Sequence, residues 1–238
     1  MKGAKVHDPV SDDGSDLRVS LFSDLRVTEL GLDFESQARE YGYQFIAGVD
    51  EVGRGCLAGP VVAGACILDP GKPLPEGLND SKKVDAELRE QIASELKESC
   101  IAYAIGQIEA DEIDRINILE ATKRAMLAAI TALDPAADFV LIDALHLKAC
   151  PLPQQAIIKG DTISASIAAA SILAKTYRDA LMRDYDAAYP LYGFGSHKGY
   201  AAPQHWQALN DHGPCSIHRM SFQGVVPAEP VAPRLMFE

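Results

Sequence analysis

Asp50 and Glu51 stand side by side at the end of an apolar run, Phe45 to Val49, directly before Gly53-Arg54-Gly55. A buried strand does not normally tolerate two adjacent charges, so something must compensate them. Neighbouring side chains on a regular strand point to opposite faces. Both acids can therefore address one site only if the strand ends or bends there, which the glycines permit. Asp143 closes the run Phe139-Val140-Leu141-Ile142, and Asp161 follows Ala156-Ile157-Ile158 through Lys159-Gly160. Strand carboxyl ends are where open α/β sheets build their sites. Four converging carboxylates would raise one another's pKa, and hard divalent cations neutralise such a group through oxygen ligands. Magnesium or manganese suits that donor set, because no cluster of Cys or His supplies the softer ligands zinc prefers. The alternative for Asp50 and Glu51 is a pair of solvated turn acids.

Other chemistries fail on the same residues. Gly53-Arg54-Gly55-Cys56-Leu57-Ala58 lacks the third glycine of a dinucleotide fingerprint, and no Gly-Lys-Ser/Thr closes a phosphate loop. No Gly-x-Ser-x-Gly elbow offers a nucleophilic serine. Acid-and-metal hydrolysis stays ahead of nucleotide binding and acyl transfer.

The elements that must position these acids follow from periodicity. Phe45–Asp50 and Val61–Leu68 read as strands joined by a glycine-bearing turn. Leu88, Ile92 and Leu96 make one face of a helix over 85–99, and Ile101–Ile108 alternates as a strand. A helix over 110–133 stops before Pro135. Phe139–Asp143 and Ala156–Lys159 are two further strands, and a long helix runs over Thr162–Tyr185. A shorter helix follows around Pro203–Asn210. Strands interleaved with helices predict an α/β domain, a central mixed sheet flanked by helices with a helical C-terminal portion. The sequence divides into a flexible, acidic N-terminal extension over 1–31 with a near-repeated Ser-Asp-Leu-Arg-Val, a catalytic domain over 32–222, and a proline-bearing flexible tail over 223–238.

Composition bounds the rest. With 238 residues and 47% hydrophobic content the chain can fill one sizeable core. Its longest apolar stretches fall well short of the roughly 20 residues of a membrane span. No export signal marks the N-terminus, so the expected compartment is the cytoplasm and the expected state a soluble monomer. Five widely spaced cysteines suggest neither a disulfide framework nor a zinc knuckle. The net charge of −12 is unusual for a protein that handles phosphates. Lys82, Lys83, Lys159, Lys175 with Arg178, and His218 with Arg219 could still form a local basic track on an acidic body.

Several segments together carry a family resemblance. Gly48-Val49-Asp50-Glu51-Val52-Gly53-Arg54-Gly55 resembles the signature of bacterial ribonuclease HII. Leu78-Asn79-Asp80-Ser81-Lys82-Lys83, Ile142-Asp143-Ala144, Lys159-Gly160-Asp161, Ala169 to Lys175, Tyr192-Gly193-Phe194 and His197-Lys198-Gly199-Tyr200 agree in order and spacing. The resemblance spans about residues 32–222. It implies a ribonuclease H-like fold in which Asp50, Glu51, Asp143 and Asp161 hold two divalent ions, Mg2+ or Mn2+, at a scissile phosphate. One ion would activate water and the other would stabilise the leaving 3′ oxygen, giving a 3′-hydroxyl and a 5′-phosphate. The implied substrates are RNA-DNA hybrids and duplex DNA containing ribonucleotides. Gly53, Arg54, Gly55 and Tyr200 would sense the 2′-hydroxyl at an RNA-DNA junction. Lys82 and Lys175 are the first choices for phosphate contacts, with Arg178 behind them.

Some positions depart from the family pattern. Cys56 stands where proline is common, Ala168 where a serine near the substrate backbone is common, and Thr176-Tyr177 where Val-Thr is more usual. Asp179 reads as a helix-surface charge, and His205 and His218 as structural or solvated. Pro233-Arg234-Leu235-Met236-Phe237 loosely resembles a peptide that docks sliding clamps, against the alternative of an ordinary chain end. A non-catalytic hybrid-binding module of the same fold and a small-ester metal phosphatase are the competing functions. The first would be expected to have lost one of the acids, and all four are present.

Overall fold

The computed structural model describes residues 21, 22 and 25–226. Five strands form one sheet in the order β3-β2-β1-β4-β5: β1 Ile46–Val52, β2 Val61–Ile67, β3 Ala102–Ile108, β4 Phe139–Asp143 and β5 Gln154–Ile157. The first three pair antiparallel, and β4 and β5 add parallel to β1, so the sheet is mixed as expected. Helices α1 Asp33–Glu40, α2 Ala86–Ser99, α3 Ala110–Ile116, α4 Ile118–Thr131 and α5 Ala165–Ala188 surround it. The short α6 Phe194–His197 and α7 Pro203–His212 build the helical C-terminal part. No helix among the described residues is long and apolar enough to cross a membrane.

Two helices sandwich the sheet. Ala121, Ala125, Met126 and Ala129 of α4 bury one face against Ala47, Val49, Ala63 and Ile142. On the other, the alanine-rich start of α5 packs with Cys66, with Leu68 just past β2, and with α2 residues Ile92, Ala93 and Leu96. Small residues on both partners allow the backbones to approach closely. A Cβ on Gly48 of β1 would be driven into the main chain at Ser166 and Ile167, and one on Gly64 of β2 into the Ala170 carbonyl. The sheet and α5 therefore lock at a fixed depth, which sets where the polar face of α5 meets the end of β1.

The structure corrects several expected boundaries. The helix over 110–133 is two helices, broken at Asn117, whose φ of 70° leaves the helical region while its side chain accepts from the Leu119 and Glu120 amides and starts α4. β5 ends at Ile157, because Lys159 turns left-handed at φ 57°, and Asp161 sits in a 3-10 turn, Gly160–Thr162. α5 begins at Ala165, capped by Ser164, and α1 was not anticipated. Packing also extends upstream of residue 32: Phe22 and Val27 are buried, Phe22 against Phe34 and Phe139. Glu35 of α1 accepts from Ser164 Oγ (2.7 Å) and the Ser166 amide (2.9 Å), which ties this segment to the start of α5. Residues 1–20 and 227–238, including the clamp-like peptide at 233–237, lie outside the described residues.

The lock between β1 and α5 has a measurable consequence. Gly48→Ala should destabilise the protein by about 3 kcal/mol or more, since neither backbone can yield without displacing the other. Urea unfolding compared with wild type checks this, and a loss below about 1 kcal/mol would contradict it.

Candidate active site

The carboxyl end of β1 and β4 gathers the acids. The parallel register pairs Val49 with Ile142, so the next step along each strand sets Asp50 beside Asp143. β1 continues through Val52 instead of ending at Asp50, but its pairing with β4 stops at Val49 and the chain turns directly after the strand at Gly53, whose φ is 88°. The grouping comes instead from the neighbouring strand. Asp143 Oδ1 accepts the Gly160 amide at 2.7 Å, and that bond fastens the turn carrying Asp161 to the end of β4. Asp50 Oδ1 accepts the Glu51 amide at 2.7 Å.

Burial and mutual repulsion dominate the electrostatics. Asp50 is pushed well above the usual carboxylate range, first by burial and then by the charges of Glu51 and Asp143, against a hydrogen bond from Ser171. Asp143 rises to about 6, chiefly through burial, with Asp161 and Glu51 adding repulsion. Asp161 is raised by burial and by Asp80, with Lys82 and Lys83 opposing. Glu51 pairs with Arg54 at 3.1 Å, whereas among the described residues no Lys or Arg forms an ion pair with Asp50, Asp143 or Asp161. Among the described residues no three acids, histidines or cysteines stand close enough together to hold a metal ion between them. Asp50, Glu51, Asp143 and Asp161 offer oxygen donors only, the ligand type that hard divalent cations take.

Beside the acids lies a pocket of about 180 Å3 lined by Glu51, Gly53, Arg54, Gly55, Lys82 and Tyr200, among others. Lys175 lines it too, tethered to Asp179 at 2.6 Å, with its ammonium 5.9 Å from the Tyr200 ring centroid. All six residues expected to bind substrate thus border one cavity. Tyr200 is 40% exposed, and burial of its hydroxyl pushes its pKa up to about 12, so it acts as a neutral aromatic.

Other expectations are overturned. Arg178 is fully buried and donates to three main-chain carbonyls, so it cannot touch a phosphate. Ala168 is fully buried beneath the sheet, so no phosphate contact was lost there. Asp179 is no surface charge: it is 8% exposed and holds both Lys175 and Arg89, while Arg89 also donates to the carbonyls of Ser81 and Val84. Asp179 thereby links α5 to the loop bearing Lys82. His205 and His218 take the structural of the two roles expected for them: they are buried and bonded to each other at 3.0 Å, with burial lowering the pKa of His218 to about 4. Residues missed in the sequence include Ser81 and Ser171, whose hydroxyls meet at 2.9 Å on the pocket wall. Ser171, Lys175 and Arg178 recur at four- and three-residue spacing, a polar stripe on an apolar helix that could have marked the α5 face.

The chain is similar to known proteins over most of its length. The family profile for Ribonuclease HII matches residues 47–225. The Ribonuclease HII of Ruminiclostridium cellulolyticum is 54% identical over 191 residues, covering 80% of this chain and 74% of that protein. The ribonuclease H2 crystal structure from Pyrococcus horikoshii superposes with a TM-score of 0.67 at 26% identity, covering 76% of this chain and 95% of that one. An Archaeoglobus fulgidus RNase HII solved in complex with PCNA shares the fold, with a TM-score of 0.64 at 24% identity, covering 79% and 98%.

The raised carboxylates make a stability prediction. A folded pKa above the unfolded one gives stability that is complete below the unfolded value, about 4, and is lost as pH climbs through about 6 for Asp143. At pH 7.5 the metal-free protein therefore carries the cost of an ionised Asp143. Asp50→Asn or Asp143→Asn should raise the Tm of the chelator-treated protein at that pH by on the order of 2–4 °C. At pH 4 the gain should vanish. A lower Tm for both variants at pH 7.5 in thermal melts would refute this.

Proposed function

The chain belongs to the ribonuclease HII family, hydrolytic endonucleases of RNA joined to or paired with DNA, and we propose that its own site works as follows. Asp50, Glu51, Asp143 and Asp161 hold two divalent ions, Mg2+ or Mn2+, at the scissile phosphate. When bound, such ions supply an activated water and neutralise charge at the attacking and leaving oxygens. The remaining work falls to the protein. The Gly160 amide fixes one Asp143 oxygen, leaving the other free to act as a ligand. Lys82 and Lys175 meet phosphates along the strand, giving a local cationic track on an acidic body. The ring of Tyr200 packs on the sugar or base at the RNA-DNA junction. The turn Gly53-Arg54-Gly55 offers main-chain donors to the 2′-hydroxyl, the group that separates RNA from DNA there.

The observation that carries this reading is the parallel β1-β4 register, which sets Asp50 beside Asp143, while Glu51, the next residue of β1, lines the pocket that holds Tyr200 and the glycine turn. The substrates are RNA-DNA hybrids and duplex DNA containing ribonucleotides, incised 5′ of the ribonucleotide to leave a 3′-hydroxyl and a 5′-phosphate. We take the active species to be a cytoplasmic monomer. A sliding-clamp contact through residues 233–237 also belongs to the proposal, on the strength of that apolar peptide alone.

Incision of a labelled duplex carrying one ribonucleotide, with magnesium, manganese or chelator, tests the reaction. Wild type should cut only with metal, and Asp50→Asn should lose about 10^3-fold in rate, several kcal/mol of charge stabilisation. Metal-independent cutting, or no cutting by folded wild type, would sink it. Stacking by Tyr200 predicts that Tyr200→Phe keeps most of the activity while Tyr200→Ala loses about 10- to 100-fold in kcat/KM. Equal loss in both variants would shift the role to the hydroxyl.

A further inference from the structure

Two arginines lie beneath the glycine turn. Arg178 of α5 and Arg219, in the segment after α7, are both 0% exposed. Arg219 donates to the carbonyls of Gly53 (2.7 Å), Arg54 (2.8 Å) and Gly59 (3.0 Å). Arg178 donates to those of Ala58 (3.1 Å), Pro60 (3.0 Å) and Lys198 (2.9 Å). All six acceptors belong to two segments, the turn at 53–60 and the loop that leads into Tyr200. Among the described residues neither guanidinium has a carboxylate partner. Arg219 stacks instead on Phe222, and Arg178 lies 6.0 Å from the Tyr200 ring centroid.

Burying a cation without a counter-ion is costly, and apolar packing of the same volume would often give equal or greater stability. A flat fork with five fixed donors does what apolar packing cannot: it pulls several carbonyls to one side in a fixed geometry. The amides of Gly53, Arg54 and Gly55 have no protein acceptor among the described hydrogen bonds, in contrast to Leu57 and Gly59, which donate to Gly199 and Ile217. The carbonyls of Gly53 and Arg54 are held inward by Arg219 while these residues line the pocket. Gly53 is itself required by the clamp, since a Cβ there would meet the Arg178 guanidinium.

We propose that Arg178 and Arg219 are positioning residues that hold the turn at 53–60 and the loop before Tyr200 in one rigid arrangement, and so set the enzyme's discrimination for a ribose at the cleavage junction. The assignment rests on the reading that this turn senses the 2′-hydroxyl. Neither arginine touches the substrate. Loss of the fork should leave phosphate binding intact and disturb only the alignment of the turn with the ribose, where a displacement of about 1 Å can cost about 100-fold in rate.

Arg178→Lys and Arg219→Lys keep the charge and remove the fork. The full-length variants are assayed on a duplex with one ribonucleotide, with the all-DNA duplex of the same sequence as competitive inhibitor. Expected is a fall in kcat of about 100-fold, with KM and the inhibition constant of the all-DNA duplex staying within about twofold of wild type. A cooperative thermal transition lying above the assay temperature excludes loss of folded enzyme as the source of that split. The proposal is overturned if both folded variants keep kcat within about threefold, or if kcat and the inhibition constant worsen in parallel. It is equally overturned if neither variant gives a cooperative thermal transition, which would assign the pair to folding. Failure of wild type to incise the ribonucleotide duplex would instead remove the underlying reading.

Discussion

Like charges held together out of water are the constraint around which this protein is organised. Asp50 and Asp143 are brought side by side by the strand pairing itself, and burial denies them the solvent that would normally screen their repulsion. The two strands cannot separate to relieve it, because β1 is hydrogen-bonded on both edges and packed on both faces. Such crowding of acids costs stability, a cost commonly found at functional sites.

The rest of the architecture holds that end of the sheet still. Gly48 and Gly64 let α5 settle against the strands, which brings Ser171 and Lys175 level with the carboxylates. Asp179 then joins Lys175 to Arg89 and, through Arg89, to the loop of Ser81 and Lys82. Arg178, on the same helix, anchors the opposite wall. One helix thus sets the edge that carries the acids, the two lysines of the pocket and the glycine turn, and the depth at which it packs governs all three.

Much of this was legible in the sequence for a simple reason: each acid ends or closely follows an apolar run, and a charge in that position is conspicuous. The α/β character and most strands followed from periodicity. The pairing that unites Asp50 with Asp143 did not, because strands more than ninety residues apart leave no local trace of their register. Asn117 broke a helix whose apolar pattern continued across it, and Lys159 ended β5 inside an apolar run, because both depend on a left-handed backbone at a non-glycine residue. Arg178 read as a candidate phosphate contact and Asp179 as a surface charge because burial of a charged side chain depends on partners distant in sequence. Arg178 finds its carbonyls at Ala58, Pro60 and Lys198, and Asp179 finds Arg89.

The account stands or falls on whether these acids share cations. Equilibrium binding of Mn2+ to the full-length chain without nucleic acid, followed by the loss of the free-ion EPR signal, addresses this directly. Wild type should bind manganese, and Asp50→Asn and Asp143→Asn should each bind it at least about tenfold more weakly, the loss expected when one ligand of a shared site is neutralised. Equal affinity in all three proteins, or no binding by a folded wild type, would contradict the claim.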